Sequence, residues 1–83
     1  MKVKICGITT LSDALAAVDA GAEMIGYNFY SLSKRYLNPE ACAEIQNELV
    51  RRNVAVEAVG VFVNASQQEI EETVALCNLG YAQ

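Results

Sequence analysis

Hydrophobic positions along the chain fall into short apolar runs separated by longer amphipathic stretches. Val3-Lys4-Ile5-Cys6 alternates with period two, so Val3 and Ile5 share one face of a strand and Lys4 and Cys6 the other. Gly7 breaks that strand, and Thr10 is placed to cap a helix from Leu11 to Ala20. In that helix Leu11, Leu15 and Val18 keep helical spacing, Asp13 suits the N-terminal dipole, and Gly21 ends the run. Met24 to Phe29 is a second strand with almost no charge, as strands covered on both faces have. After a polar connection from Tyr30 to Leu37, Asn38-Pro39-Glu40 supplies a cap, a first-turn proline and an acid. The helix they open runs to about Arg52, with two cations at its end. Glu57 to Val63 is a third apolar strand, and Ser66-Gln67-Gln68-Glu69 is a capping box opening a helix through about Cys77. Gly80-Tyr81-Ala82-Gln83 reads as the start of a fourth strand.

The order is β-α-β-α-β-α-(β), each unit taking about thirty residues, the span of a βαβ unit. Such alternation predicts a parallel sheet with right-handed crossovers. A doubly wound sheet and a (β/α)₈ barrel compete. Gly7-Ile8-Thr9 is not a dinucleotide-binding loop, and helices that follow each strand without one favour the barrel. The expected fold is therefore α/β, a (β/α)₈ TIM barrel of which this chain holds about the first three βα units. Since a barrel takes at least roughly 200 residues, residues 1–83 are expected to be the N-terminal part of a single barrel domain.

Composition narrows the function classes. The chain is 53% hydrophobic and 19% charged, with a net charge of −4. Its six Lys and Arg form no basic stripe, which argues against a nucleic-acid partner. An anionic small ligand needs only one or two placed donors, so it stays open. Cys6, Cys42 and Cys77 are widely spaced, and with no histidine a metal site has little support. An odd cysteine count, no targeting segment and no apolar run of membrane-spanning length predict a cytoplasmic protein without membrane contact.

Cys6 is the first candidate for chemistry. It ends a strand just before a helix, where parallel α/β folds gather their reactive groups. A lysine or helix N-terminus beside a thiol favours the thiolate, which acts as nucleophile or base. On pattern alone, a small buried hydrophobe is the stronger reading. Arg35 is the second, in the loop after strand two and thus at the same end of the sheet, where a guanidinium can fork onto a carboxylate or phosphate. By itself it reads as an exposed loop cation. Asn28 ends strand two near the same mouth. Cys42 and Cys77 fall in helices as packing residues, and Tyr27, Phe29, Tyr30 and Tyr36 read as core aromatics with ligand stacking as the minor alternative.

Lys4-Ile5-Cys6-Gly7-Ile8-Thr9 resembles the opening motif of the phosphoribosylanthranilate isomerases of tryptophan biosynthesis. The likeness continues through Gly21 to Tyr30, Ser33-Lys34-Arg35-Tyr36-Leu37 and Gly60-Val61-Phe62-Val63-Asn64, departing at Ser31, where a proline is expected. The resemblance implies a barrel enzyme that converts N-(5-phosphoribosyl)anthranilate to 1-(2-carboxyphenylamino)-1-deoxyribulose 5-phosphate by Amadori rearrangement. It implies no cofactor and no metal, a small phosphorylated substrate, Cys6 as general base, and Arg35 as the grip on the anthranilate carboxylate. The aspartate that serves as the family's acid and the phosphate-binding loops have no counterpart in this sequence. Asp13 and Asp19 sit on the first helix and cannot stand in. The runner-up is a non-catalytic half-barrel module that self-associates through open sheet edges. A thiol redox protein is weaker, because no second cysteine lies within a few residues of Cys6.

Overall fold

The computed structural model describes residues 3–82. Among them, strands β1 (Lys4–Cys6), β2 (Met24–Asn28), β3 (Glu57–Val61) and β4 (Tyr81–Ala82) alternate with helices α1 (Leu11–Asp19), α2 (Pro39–Arg51) and α3 (Gln67–Cys77). Gln83, expected in the fourth strand, lies outside the described residues.

Every strand pairs in parallel with the one before it, giving the order β1-β2-β3-β4. A doubly wound sheet reverses its order at a switch point. No reversal occurs here, so the sheet is an arc of barrel wall. The register sets Ile5 beside Ile25 and Ala58 on one face, and Cys6 beside Gly26 and Val59 on the other. Ile25, Tyr27 and Ala58 share their core with Ala14 and Ala17 of α1, Cys42, Ile45 and Leu49 of α2, and Cys77 of α3. The helices thus cover one face, and Cys6 belongs to the other.

Each helix starts where its cap was read. The side chains of Thr10, Asn38 and Ser66 accept from the backbone amides of Asp13 (3.0 Å), Ala41 (2.8 Å) and Glu69 (3.1 Å), satisfying donors a helix start leaves unpaired. After α1 the chain turns at Gly21, whose φ of +100° suits a residue without a Cβ. The spacing of Leu11, Leu15 and Val18 described α1 only in part. Its buried residues are Ala14 and Ala17, small side chains that let the helix lie close to the sheet, with Leu11 and Leu15 packed at their margins.

Tyr27 is fully buried, and its hydroxyl donates to Gln46 Oε1 of α2 at 2.8 Å. That bond satisfies a group whose burial unpaired costs about 1–3 kcal/mol. Burial, reinforced by Cys42 and Cys77 nearby, pushes the phenol far above its ordinary range. The remaining differences concern strand ends. β2 stops at Asn28 and β3 at Val61, shorter than their apolar runs. Phe62 stacks on Phe29 with centroids 5.2 Å apart. Val61 shares its face with Asn28, so period two turns the next residue toward the helices.

Candidate active site

Cys6 is the exposed member of the three cysteines and occupies the last position of β1. Lys4 lies on the same face, two residues earlier. The turn that follows is tightly held. The amides of Gly7 and Ile8 both donate to the Gly26 carbonyl of β2 at 3.1 Å, and Gly7 adopts a φ of +83°. This brings the chain from strand to helix cap in few residues and leaves the thiol at the strand tip.

Arg35 reaches that tip from the loop after β2. The loop is closed at its base, where the Leu37 amide donates to the Asn28 carbonyl at 2.9 Å and Tyr36 bridges Asn28 in parallel. Inside it, Asn28 Oδ1 accepts from the Tyr30 amide at 2.9 Å, and Ser33 Oγ accepts from the Arg35 amide at 3.1 Å. These short bonds fold eight residues into turns and direct Arg35 back over β1. Its Nη1 lies 3.5 Å from the Gly7 carbonyl, at the outer limit of a hydrogen bond. A Cβ on Gly7 would stand 3.4 Å from Arg35 Cγ.

Cys6 and Arg35 consequently border one groove of about 340 Å³ along β1 and α1, shared with Gly7 and Asp13. Asn28, expected at this mouth, uses its side-chain oxygen to shape the loop. Phe29 and Phe62 stack on each other beneath that loop, and Tyr27 belongs to the core. Cys42 and Cys77 pack between α2 and α3, where Cys77 Sγ donates to the Pro39 carbonyl at 3.2 Å. Burial first, and each other's proximity next, drive the Cys42 thiol strongly up, and burial raises Cys77 too. Both stay protonated, as packing residues do. Other hollows, lined by Leu49, Val54, Glu57 and Leu79 or by Ala22, Glu23 and Val56, lie at the strand starts, away from Cys6. Among the described residues, no group of three or more His, Cys, Asp or Glu is placed to hold a metal ion, and no helix is long and apolar enough to cross a membrane.

Sequence reasoning passed over Gly26 as a site residue. A glycine inside an apolar strand signals a close backbone approach, and that signal was present. Here the approach is to Cys6.

A family model described as N-(5'-phosphoribosyl)anthranilate isomerase matches residues 3–83. The chain belongs to the phosphoribosylanthranilate isomerase family. It is 50% identical over 82 residues to the N-(5'-phosphoribosyl)anthranilate isomerase of Citrifermentans bemidjiense, covering 99% of this chain and 38% of that protein. The corresponding isomerase of a Geobacter species is 49% identical, with 99% and 39% covered. Among solved structures, the isomerase of Thermotoga maritima superposes over the whole chain and 39% of its own, with a TM-score of 0.92 and 43% identity. A phosphoribosylanthranilate isomerase in complex with reduced 1-(o-carboxyphenylamino)-1-deoxyribulose 5-phosphate gives a TM-score of 0.91 at 43% identity, with the whole chain and 41% of that structure covered. The chain spans about two fifths of the length of these relatives and matches their N-terminal part. The barrel fold read from the sequence is therefore the fold of this family, held here as its first three βα units and the start of a fourth strand.

Proposed function

We propose that the chain is the N-terminal portion of an isomerase that converts N-(5-phosphoribosyl)anthranilate to 1-(2-carboxyphenylamino)-1-deoxyribulose 5-phosphate in tryptophan biosynthesis. The observation that carries this reading is that Arg35, from the loop after β2, reaches the Gly7 carbonyl next to Cys6 at the end of β1 in a chain of this family. A relative of the same fold binds a reduced form of the reaction's product, which supports the substrate class.

In the reaction, an acid protonates the furanose oxygen, and the ring opens as the C–O bond breaks to give an iminium. A base then removes the proton from the adjacent carbon, and the resulting enolamine relaxes to the ketone. Cys6 acts as that base. Its side chain is exposed at the strand tip, so a sugar carbon can approach it without displacing core. Arg35 holds the anthranilate carboxylate, since a guanidinium forks onto both carboxylate oxygens. The acid and the phosphate grip come from beyond these residues, so the 83 residues alone are inactive.

Cys6→Ser in the full-length enzyme is the test. A hydroxyl is a far weaker base than a thiolate, and loss of a general base costs about 10²–10⁴-fold in rate. Turnover should fall on that scale while a product analogue still binds. Turnover near that of the parent would return Cys6 to a packing role.

A further inference from the structure

We infer that Gly26 is a positioning residue for the reaction: the absence of a side chain there fixes where the Cys6 thiol sits. The inference rests on Cys6 being the base. Cys6 and Gly26 are direct partners in the β1–β2 register and lie on the face away from the helices. A Cβ built on Gly26 would stand 3.1 Å from Cys6 Sγ, 3.4 Å from Cys6 Cβ and 3.3 Å from Cys6 Cα. The thiol thus leans across the neighbouring strand into the space a methyl would fill. Sulfur and carbon settle farther apart than that, so an alanine at this position drives the thiol off its place.

The backbone of the same residue acts on the other side. The Gly26 carbonyl accepts both the Gly7 and Ile8 amides at 3.1 Å, fixing the turn immediately after Cys6. That turn in turn carries the carbonyl against which Arg35 Nη1 rests. One residue therefore sets the seat of the thiol by what it lacks and the frame of the carboxylate grip by its carbonyl. Alanine keeps the carbonyl and fills the space, pressing on the Cys6 Cα at 3.3 Å as well as on the thiol, so the Cys6→Ser background separates the thiol contact from the backbone one. Proton transfer depends steeply on the approach of base to carbon, whereas substrate binding through Arg35 does not involve the thiol.

The experiment is a double-mutant cycle in the full-length enzyme, with Gly26→Ala, Cys6→Ser and the pair, each corrected for folded fraction by near-UV dichroism. Gly26→Ala should lower kcat about tenfold or more with KM within about twofold, and should change nothing beyond about twofold on the Cys6→Ser background. An equal loss on both backgrounds, or an unchanged kcat, overturns the inference. Alkylation of Cys6 by iodoacetamide, followed on its peptide by mass spectrometry, tests the seat without catalysis. Its rate should differ at least about threefold between parent and Gly26→Ala, and equal rates overturn the inference. If Cys6→Ser keeps full turnover, the general-base reading fails while the alkylation result still judges the contact. Should Gly26→Ala not fold, Cys6→Ala is added to it. Recovered folding assigns the clash to the thiol, and continued misfolding assigns it to the Cys6 backbone and overturns the inference.

Discussion

At the scale of single residues, the groove distinguishes a role for charge from a role for shape. Arg35 is exposed and has no ion pair among the described residues, and its one side-chain bond is the long Nη1 contact to the Gly7 carbonyl, which leaves donors for a ligand. Arg35→Lys in the full-length enzyme should therefore raise KM nearly as much as Arg35→Ala, because lysine keeps the charge and loses the paired donors. Steady-state kinetics with both variants decide this, and full rescue by lysine would show that charge alone matters. The positions of Cys6 and Arg35 were legible, since strand ends and the loops after them fall on one rim of any parallel sheet. Gly26 was legible only as a close approach within an apolar strand, because which residue it meets depends on the register that sets Cys6 beside it.

Elements were legible to the extent that local chemistry decides them. Thr10, Asn38 and Ser66 announced three helix starts because a cap bonds within its own turn. Strand ends followed tertiary pairing instead, so the apolar runs through Phe29 and Val63 overran β2 and β3. Within α1, buried alanines replaced the larger apolar residues as the packing face, since closeness to the sheet outweighs hydrophobic size. The end of α2 offers a test of surface charge. Glu48 accepts from Arg51, and at 2.8 Å from Arg52, and the bond from Arg51 chiefly holds its carboxyl down at about 2. A depressed carboxylate adds stability that is full above its ordinary value of about 4.3 and is lost as pH falls through the folded value. The melting temperature of a Glu48→Gln variant should thus lie slightly below the parent's at pH 7, and the gap should close toward pH 2 and shrink in high salt. A gap unchanged at pH 2 would dissociate stability from this pair.

For the whole molecule, the decisive feature is that the sheet is an arc and not a ring. Among the described residues β1 and β4 are the outermost strands of the order β1-β2-β3-β4, where a closed barrel has further strands. We propose that the 83 residues in isolation self-associate or stay loosely packed, and show no isomerase activity. Sedimentation velocity, near-UV dichroism and an activity assay on the same sample check this. A monomer that unfolds cooperatively and turns over substrate would defeat both the barrel-fragment reading and the assignment of the acid to later residues. The same strand order also has a meaning in time. Ile5 meets Ile25, Ile25 meets Ala58, and Val59 meets Tyr81, so among the described residues each strand pairs with the one made just before it. Loop closure is least demanding when partners are near in sequence. A chain built this way can assemble while it emerges from the ribosome, each new unit docking on the one already formed.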